Sequence, residues 1–95
     1  MDKLSTETIE ARLADHPDWV PSGDVLQRTF GFDDFVGAMA FVNRVADLAE
    51  SLQHHPDIMI RFNKVTLSLS THDAGGITDL DFKLAAEIDE AVGVG

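Results

Sequence analysis

Hydrophobic and polar positions alternate in two regions of the chain, and each region predicts a pair of antiparallel strands. In the first region, residues 19–20 predict a brief strand, residues 21–23 a turn, and residues 25–32 a second strand. In the second region, residues 58–62 and residues 65–69 alternate so regularly that one register places all of their apolar side chains on one face. Two hairpins are therefore predicted.

The second hairpin has the more specific register. A two-residue turn at Asn63 and Lys64 would pair the apolar residues of the two strands as Phe62 with Val65, Ile60 with Leu67, and Ile58 with Leu69. Continued towards the open end of the hairpin, the same register places His55 opposite His72 and Asp57 opposite Ser70. The histidines are therefore predicted to converge in space as well as in sequence.

Helical periodicity predicts a short helix before the first hairpin and a long helix between the two hairpins. Ser5 is the predicted cap of the first helix, which ends before His16 and Pro17. Asp33 or Asp34 is the predicted cap of the second helix, which reaches about residue 52. Its predicted buried stripe has three- and four-residue spacing and consists of Phe35, Ala38, Val42, Val45, Ala46 and Ala49. Phe41, Leu48 and Leu52 widen this stripe. This width indicates either that the helix is more deeply buried within the monomer or that it packs against something besides its own sheet.

A third helix is predicted after the turn at Gly75 and Gly76. Thr78 and Asp81 nearly match a capping box, in which a side chain at the third helical position binds a backbone N–H of the cap residue. Asp81 therefore has a structural explanation as well as a functional one. The predicted element order is α-β-β-α-β-β-α, and two hairpins interrupted by helices favour an α+β fold with an antiparallel sheet covered on one face.

Composition narrows the class of protein. The 95 residues predict a single domain over residues 1–95, and 17 acidic against 7 basic side chains leave a net charge of -10. This charge argues against direct nucleic-acid binding and against adhesion to anionic membranes. The chain has no cysteine, which excludes disulfides and thiolate ligands. No signal peptide or membrane span is evident, so a soluble cytoplasmic protein is expected.

The candidate chemistry lies in three of the four histidines, His54, His55 and His72. Three interpretations are open: imidazoles at a helix end, a metal site, or an acid–base pocket for a small molecule. Adjacent side chains such as those of His54 and His55 point in different directions, which makes a shared metal awkward. Glu50 precedes His54 by four residues and could orient it, or could be a solvated surface charge.

A longer pattern surrounds the histidines. It consists of Glu50, His54, His55, Pro56, Phe62, Ser70, Thr71, His72, Asp73, Gly75, Gly76 and Asp81. An upstream part consists of the run Phe30-Gly31-Phe32-Asp33-Asp34-Phe35, followed by Ala38 and Phe41. Together these spacings resemble the pterin-4a-carbinolamine dehydratase family over nearly the whole chain from Trp19. The chain departs from the family at Ile58 and Met59, where an aromatic residue is common, and at Phe62, where tyrosine is expected.

The resemblance implies a metal-free dehydration of a 4a-hydroxytetrahydropterin to a quinonoid dihydropterin, with no organic cofactor. Such a hydroxylated pterin is formed when an aromatic amino acid hydroxylase consumes its pterin cofactor. The implied catalytic residues are His54, His55 and His72, the implied substrate-binding residues are Pro56, Ser70, Thr71 and Asp73, and the implied supporting residues are Glu50 and Asp81. We expect His54 and His72 to transfer protons and His55 to bind and polarise the substrate.

The resemblance also implies a four-stranded antiparallel sheet with three helices on one face, assembled into a homodimer or homotetramer. In animals, members of the family also serve as dimerisation cofactors for a transcription factor. A non-catalytic interaction module on the same fold is therefore the alternative expectation, although such a module has no evident need for three histidines.

Overall fold

The computed structural model describes residues 2–94 of the chain. Its elements are α1 (Thr6–Leu13), β1 (Val20–Ser22), β2 (Val25–Gly31), α2 (Phe35–Leu52), β3 (Asp57–Arg61), β4 (Lys64–Leu69), a short 3-10 turn (His72–Ala74) and α3 (Asp79–Val94). The predicted order α-β-β-α-β-β-α is confirmed. Ser5 caps α1 and Asp34 caps α2, each by accepting a hydrogen bond from a backbone N–H of the first turn.

The four strands form one antiparallel sheet in the order β1-β2-β4-β3. β2 and β4 lie in the centre, and their apolar side chains point towards the helices. The three helices cover one face of this sheet, as expected. The core consists mainly of Trp19, Leu26, Phe30, Ala38, Phe41, Val45, Val65, Leu67, Leu69, Ile77, Phe82, Leu84, Ala85 and Ile88. Within residues 2–94, no helix combines the length and apolar character that a membrane crossing requires.

The predicted register of the second hairpin is wrong by two residues. The turn consists of Phe62 and Asn63, and the pairs are Arg61 with Lys64, Ile60 with Val65, and Ile58 with Leu67. A shift of two residues keeps the side chains of the paired residues on the same face, because side chains alternate with a period of two. Phe62, which was predicted to share that face, lies in the turn instead and is 69% exposed. The pattern of apolar residues therefore determined the face but not the register. Leu69 pairs with Leu26 of β2 instead.

The same shift removes the predicted pairing of His55 with His72. β3 begins at Asp57 and β4 ends at Leu69, so both histidines lie outside the strands. His72 begins the 3-10 turn, and Asp57 pairs with Ser68 instead of Ser70. The histidines are therefore positioned by loops and helix ends, whose conformations strand alternation does not describe.

The first hairpin turns later than predicted. β1 continues through Pro21 to Ser22, and the turn consists of Gly23 and Asp24. Proline is tolerated there because β1 is an edge strand, where a residue without a backbone N–H does not interrupt the hydrogen bonds between two neighbouring strands. β2 ends at Gly31, one residue before the predicted end.

The buried stripe of α2 differs in part from the predicted one. Ala38, Val45 and Ala49 are buried as predicted and Val42 is partly buried, whereas Phe35 is 49% exposed and Ala46 is exposed. At 100° per residue, Phe35 and Ala46 share one line of the helix about 90° from the centre of the buried stripe. Phe41 occupies the buried side because its ring packs against those of Phe30 and Phe32, with centroids 4.7 and 5.1 Å apart.

A polar cluster centred on Asp89 ties α3 to the rest of the core. Trp19 Nε1 donates to Asp89 Oδ1 over 2.7 Å, and Arg28 Nη1 donates to the same oxygen over 2.6 Å. His16 Nδ1 lies 3.4 Å from the other carboxylate oxygen. Trp19 is therefore a core residue, and the fourth histidine, His16, belongs to a structural cluster.

Candidate active site

The end of α2 brings the histidine pair into position. Gln53 adopts the left-handed conformation, with φ 51°, and its backbone N–H donates to the Glu50 carbonyl over 3.2 Å. The backbone N–H of His54 donates to the Ala49 carbonyl over 3.0 Å. These two bonds form a Schellman motif, which satisfies the last carbonyls of the helix and reverses the chain direction. His54 therefore leaves the helix at a defined angle.

The His54 side chain meets the buried carboxylate of Asp81. His54 Nε2 and Asp81 Oδ1 are 2.5 Å apart, and the two side chains are 11% and 0% exposed. The other carboxylate oxygen, Oδ2, accepts from Thr71 Oγ1 over 2.9 Å and from the backbone N–H of Thr78 over 2.8 Å. The Asp81 carboxylate thus connects the end of α2, the segment after β4 and the start of α3.

The predicted capping box at the start of α3 is confirmed. Thr78 Oγ1 accepts from the backbone N–H of Leu80 over 3.2 Å, and Asp81 accepts from the backbone N–H of Thr78. The structural and functional explanations of Asp81 are therefore compatible. One oxygen of the carboxylate caps the helix, and the other faces His54.

Glu50 contacts a different histidine from the predicted one. Glu50 Oε2 forms an ion pair with Nε2 of His55, and the two side chains are 70% and 58% exposed. The spacing of four residues suggested His54, but that spacing holds only within a continuous helix. Because Gln53 is left-handed, the helix ends before His54 and the expected neighbour changes.

His72 directly follows Thr71 and does not share the hydrogen bonds of the Asp81 carboxylate. The exposed side chain of His72 lines a depression of about 270 Å³ together with Asp24, Val25, Asp57, Ser70 and Gly75. The Ser70 hydroxyl donates to the Asp24 carbonyl over 2.9 Å, whereas the Thr71 hydroxyl points towards Asp81. Pro56 is half-buried, and Asp73 is exposed in the 3-10 turn.

The structure therefore brings His54, Thr71 and Asp81 together, and separately brings His55 to Glu50. Three contributors were missed from the sequence, namely Thr78 in the network and Asp24 and Asp57 beside His72. The capping-box pattern was the available signal for Thr78. The hairpin register was the available signal for Asp57, although it gave the wrong pairing. Asp24 had no signal, because its proximity to His72 depends on the turn that follows β1.

A larger depression of about 690 Å³ lies on the uncovered face of the sheet, and none of the histidines lines it. Its lining includes the cations Arg61 and Lys64. Among residues 2–94, no three histidine or acidic side chains are grouped as metal ligands.

Comparisons with known proteins agree on one family. A family model described as Pterin 4 alpha carbinolamine dehydratase matches residues 2–91. A protein of Chloroflexus aurantiacus is 53% identical over 93 residues, which cover 98% of this chain and 100% of the relative. Its name, pterin-4-alpha-carbinolamine dehydratase, is a provisional assignment.

Two solved structures share the fold. A protein from Brucella melitensis, described as a transcriptional coactivator/pterin dehydratase, superposes with a TM-score of 0.89 at 31% identity, covering 94% of this chain and 97% of that one. A pterin dehydratase-like protein, described as a RuBisCO assembly factor in the alpha-carboxysome, has a TM-score of 0.62 at 23% identity, covering 76% and 83%. The match along almost the whole length, together with the histidine pattern that it contains, shows that this chain belongs to the pterin-4a-carbinolamine dehydratase family.

Proposed function

We propose that this protein catalyses the dehydration of a 4a-hydroxytetrahydropterin to a quinonoid dihydropterin by histidine acid–base catalysis. The single observation that supports this reaction best is the pairing of His54 with the buried Asp81 carboxylate. A buried carboxylate that binds one imidazole nitrogen orients the ring and leaves the other nitrogen for a substrate. A protein that serves only as a scaffold has no evident use for this arrangement.

The reaction requires two proton transfers. The proton on the ring nitrogen next to C4a is removed, and the C4a–O bond breaks as the hydroxyl group receives a proton and leaves as water. The electron pair of the N–H bond then forms the C=N double bond of the product. His54 and His72 carry out these two transfers, and His55, exposed beside Glu50, binds and polarises the pterin. Pro56, Ser70, Thr71 and Asp73 shape the pocket without a metal or organic cofactor.

The test uses purified protein and a 4a-hydroxytetrahydropterin generated in situ by an aromatic amino acid hydroxylase. The protein should accelerate the decay of the 4a-hydroxypterin absorbance, and single alanine variants of His54 and His72 should lose about 10²- to 10⁴-fold in rate. His16→Ala is the matched control, because His16 contacts Asp89 in the structural cluster. Full rates in the variants at positions 54 and 72 would contradict the mechanism.

The second candidate function is that of a non-catalytic interaction or dimerisation module on the same fold. It is favoured by apolar side chains on and beside the edge strand β3, which are 37–69% exposed, namely Ile58, Met59, Ile60 and Phe62. We also propose that the protein forms a homodimer or homotetramer through this edge. Light scattering after size-exclusion chromatography tests the assembly, and a folded assembly without dehydratase activity would favour this second function.

A further inference from the structure

We infer that the Asp81 network holds neutral His54 as its Nε2–H tautomer, so that Nδ1 is the catalytic base, and that Thr78 is a positioning residue for this base. The inference rests on the proposed dehydratase function for its chemical meaning. Its structural content rests on the directions of the hydrogen bonds around the Asp81 carboxylate.

The carboxylate is the end point of the network, because an ionised carboxylate only accepts hydrogen bonds. Thr71 has one hydroxyl proton and donates it to Asp81 Oδ2. The Thr71 and Thr78 hydroxyl oxygens are 2.8 Å apart, so Thr78 must donate the proton of that bond. Thr78 Oγ1 in turn accepts from the backbone N–H of Leu80. Each hydroxyl therefore donates in one direction only.

The carboxylate oxygen that faces His54, Asp81 Oδ1, determines the tautomer of this histidine. Asp81 Oδ2 already accepts from Thr71 and from the Thr78 backbone N–H, whereas Oδ1 faces only His54 Nε2 among the hydrogen bonds of residues 2–94. At 2.5 Å from a carboxylate oxygen, Nε2 must carry the proton. In the neutral ring the lone pair then lies on Nδ1, because neutral imidazole has one protonated nitrogen.

This tautomer separates the two proton-transfer roles. The Nδ1 of His54 removes the proton from the pterin ring nitrogen, and the resulting imidazolium is stabilised by the Asp81 charge. His72 then donates a proton to the departing hydroxyl group. The proton taken up by His54 and the one lost by His72 are exchanged with water after each turnover, so the atoms and charges balance over the cycle.

Thr78 controls the orientation of the carboxylate without contacting the base. Its backbone N–H binds Oδ2 directly, and its hydroxyl orients that of Thr71 towards the same oxygen. The Thr78 side chain is completely buried, and the network leaves no buried side-chain polar atom of the described residues without a partner. Rotation of the carboxylate away from His54 would break these bonds, so the geometry of Oδ1 depends on Thr78.

The tautomer can be measured without any activity assay. Two-bond ¹H–¹⁵N correlation spectra of ¹⁵N-histidine-labelled wild-type protein at alkaline pH distinguish the Nε2–H and Nδ1–H forms, with the exposed His72 as an internal reference. His54 should be wholly in the Nε2–H form, and its signals can be assigned from their loss in His54→Gln. An Nδ1–H form, or a mixture like that of His72, would overturn the inference even if the protein proves to be a dehydratase.

The role of Thr78 is tested with three variants. Thr78→Val keeps the shape and the backbone N–H but removes the hydroxyl, and we expect kcat to fall about tenfold while KM changes by less than about twofold. Thr78→Ser should restore kcat to within about twofold of the wild type. The matched control is Thr29→Val, because Thr29 forms a 2.8 Å hydroxyl pair with Thr66. A wild-type kcat in Thr78→Val, or an equal loss in the control, would refute the positioning role.

These measurements separate the inference from the proposed function. If wild-type protein fails to accelerate dehydration while His54 is in the Nε2–H form, the proposed function fails and the structural inference stands. If Thr78→Val does not fold, the tautomer of the wild type and the kcat of Thr78→Ser still decide the inference.

Discussion

Replacement of Asp81 by asparagine is the most informative single change, because the two side chains have the same shape and differ in charge and in one donor group. In Asp81→Asn, the amide oxygen can take the place of Oδ2 and keep the bonds from Thr71 and from the Thr78 backbone. The amide NH₂ then faces His54 Nε2. Two donors would oppose each other there unless the imidazole changes to the Nδ1–H tautomer.

The size of the effect follows from this geometry. A hydrogen bond to a buried charged group contributes about 1.5–3 kcal/mol, and a neutral bond made by the rearranged ring recovers about 1 kcal/mol. We therefore expect Asp81→Asn to lower the free energy of unfolding by about 0.5–2 kcal/mol. For a domain of this length that corresponds to a drop in Tm of roughly 2–16 °C. Because the rearranged ring has no lone pair on Nδ1, kcat should fall by about 10²- to 10⁴-fold.

The assay combines thermal unfolding followed by circular dichroism with the decay of the 4a-hydroxypterin absorbance. Asp81→Ala is the comparison variant, since it also removes the capping bond and should cost about 1 kcal/mol more. A folded Asp81→Asn protein with wild-type kcat would refute the argument that the carboxylate determines the state of His54. A Tm equal to that of the wild type would refute the energetic role of the network.

Three further predictions concern other parts of the structure. Glu50→Gln should change Tm by no more than about 8 °C, because an exposed ion pair with His55 contributes at most about 1 kcal/mol. A larger drop in a melting experiment would contradict this reasoning. Asp89→Ala should lower the free energy of unfolding by about 2–3 kcal/mol, because it leaves the half-buried Arg28 guanidinium without its 2.6 Å partner, and kcat should stay at the wild-type value. A fall in kcat together with the loss of stability would show that the Asp89 cluster also supports the active site. Phe62→Gly should stabilise the monomeric fold by about 1 kcal/mol, because Phe62 is 69% exposed and occupies a turn position with φ 52°, which favours glycine. Urea denaturation measures this change, and destabilisation would indicate that the Phe62 side chain is buried in an assembly.

Local signals predicted much of the fold correctly. The caps Ser5 and Asp34 and the capping box at Thr78 each act over a few residues, and each is confirmed. The errors arose where two arrangements satisfy the same local pattern. The predicted register, with its turn at Asn63 and Lys64, and the observed one, with its turn at Phe62 and Asn63, place the paired apolar residues on the same face, so alternation does not distinguish them.

The candidate site was predictable in its residue types but not in its contacts. His54, His55, His72 and Asp81 were singled out from the sequence, yet the partner of each histidine was not. Gln53 adopts a left-handed conformation that is unusual for a residue with a side chain. That one backbone conformation ends the helix, and Glu50 therefore contacts His55 instead of His54.

By itself, the sequence determined the element order, the buried faces, the helix caps and the residue types available for proton transfer, because these depend on side-chain periodicity and on chemistry local in the chain. The tertiary structure decided which carboxylate each histidine meets. His54 and Asp81 are 27 positions apart, and they meet only because the end of α2 and the start of α3 pack beside the segment that follows β4. Such a contact depends on the packing of separate elements, which no local pattern contains.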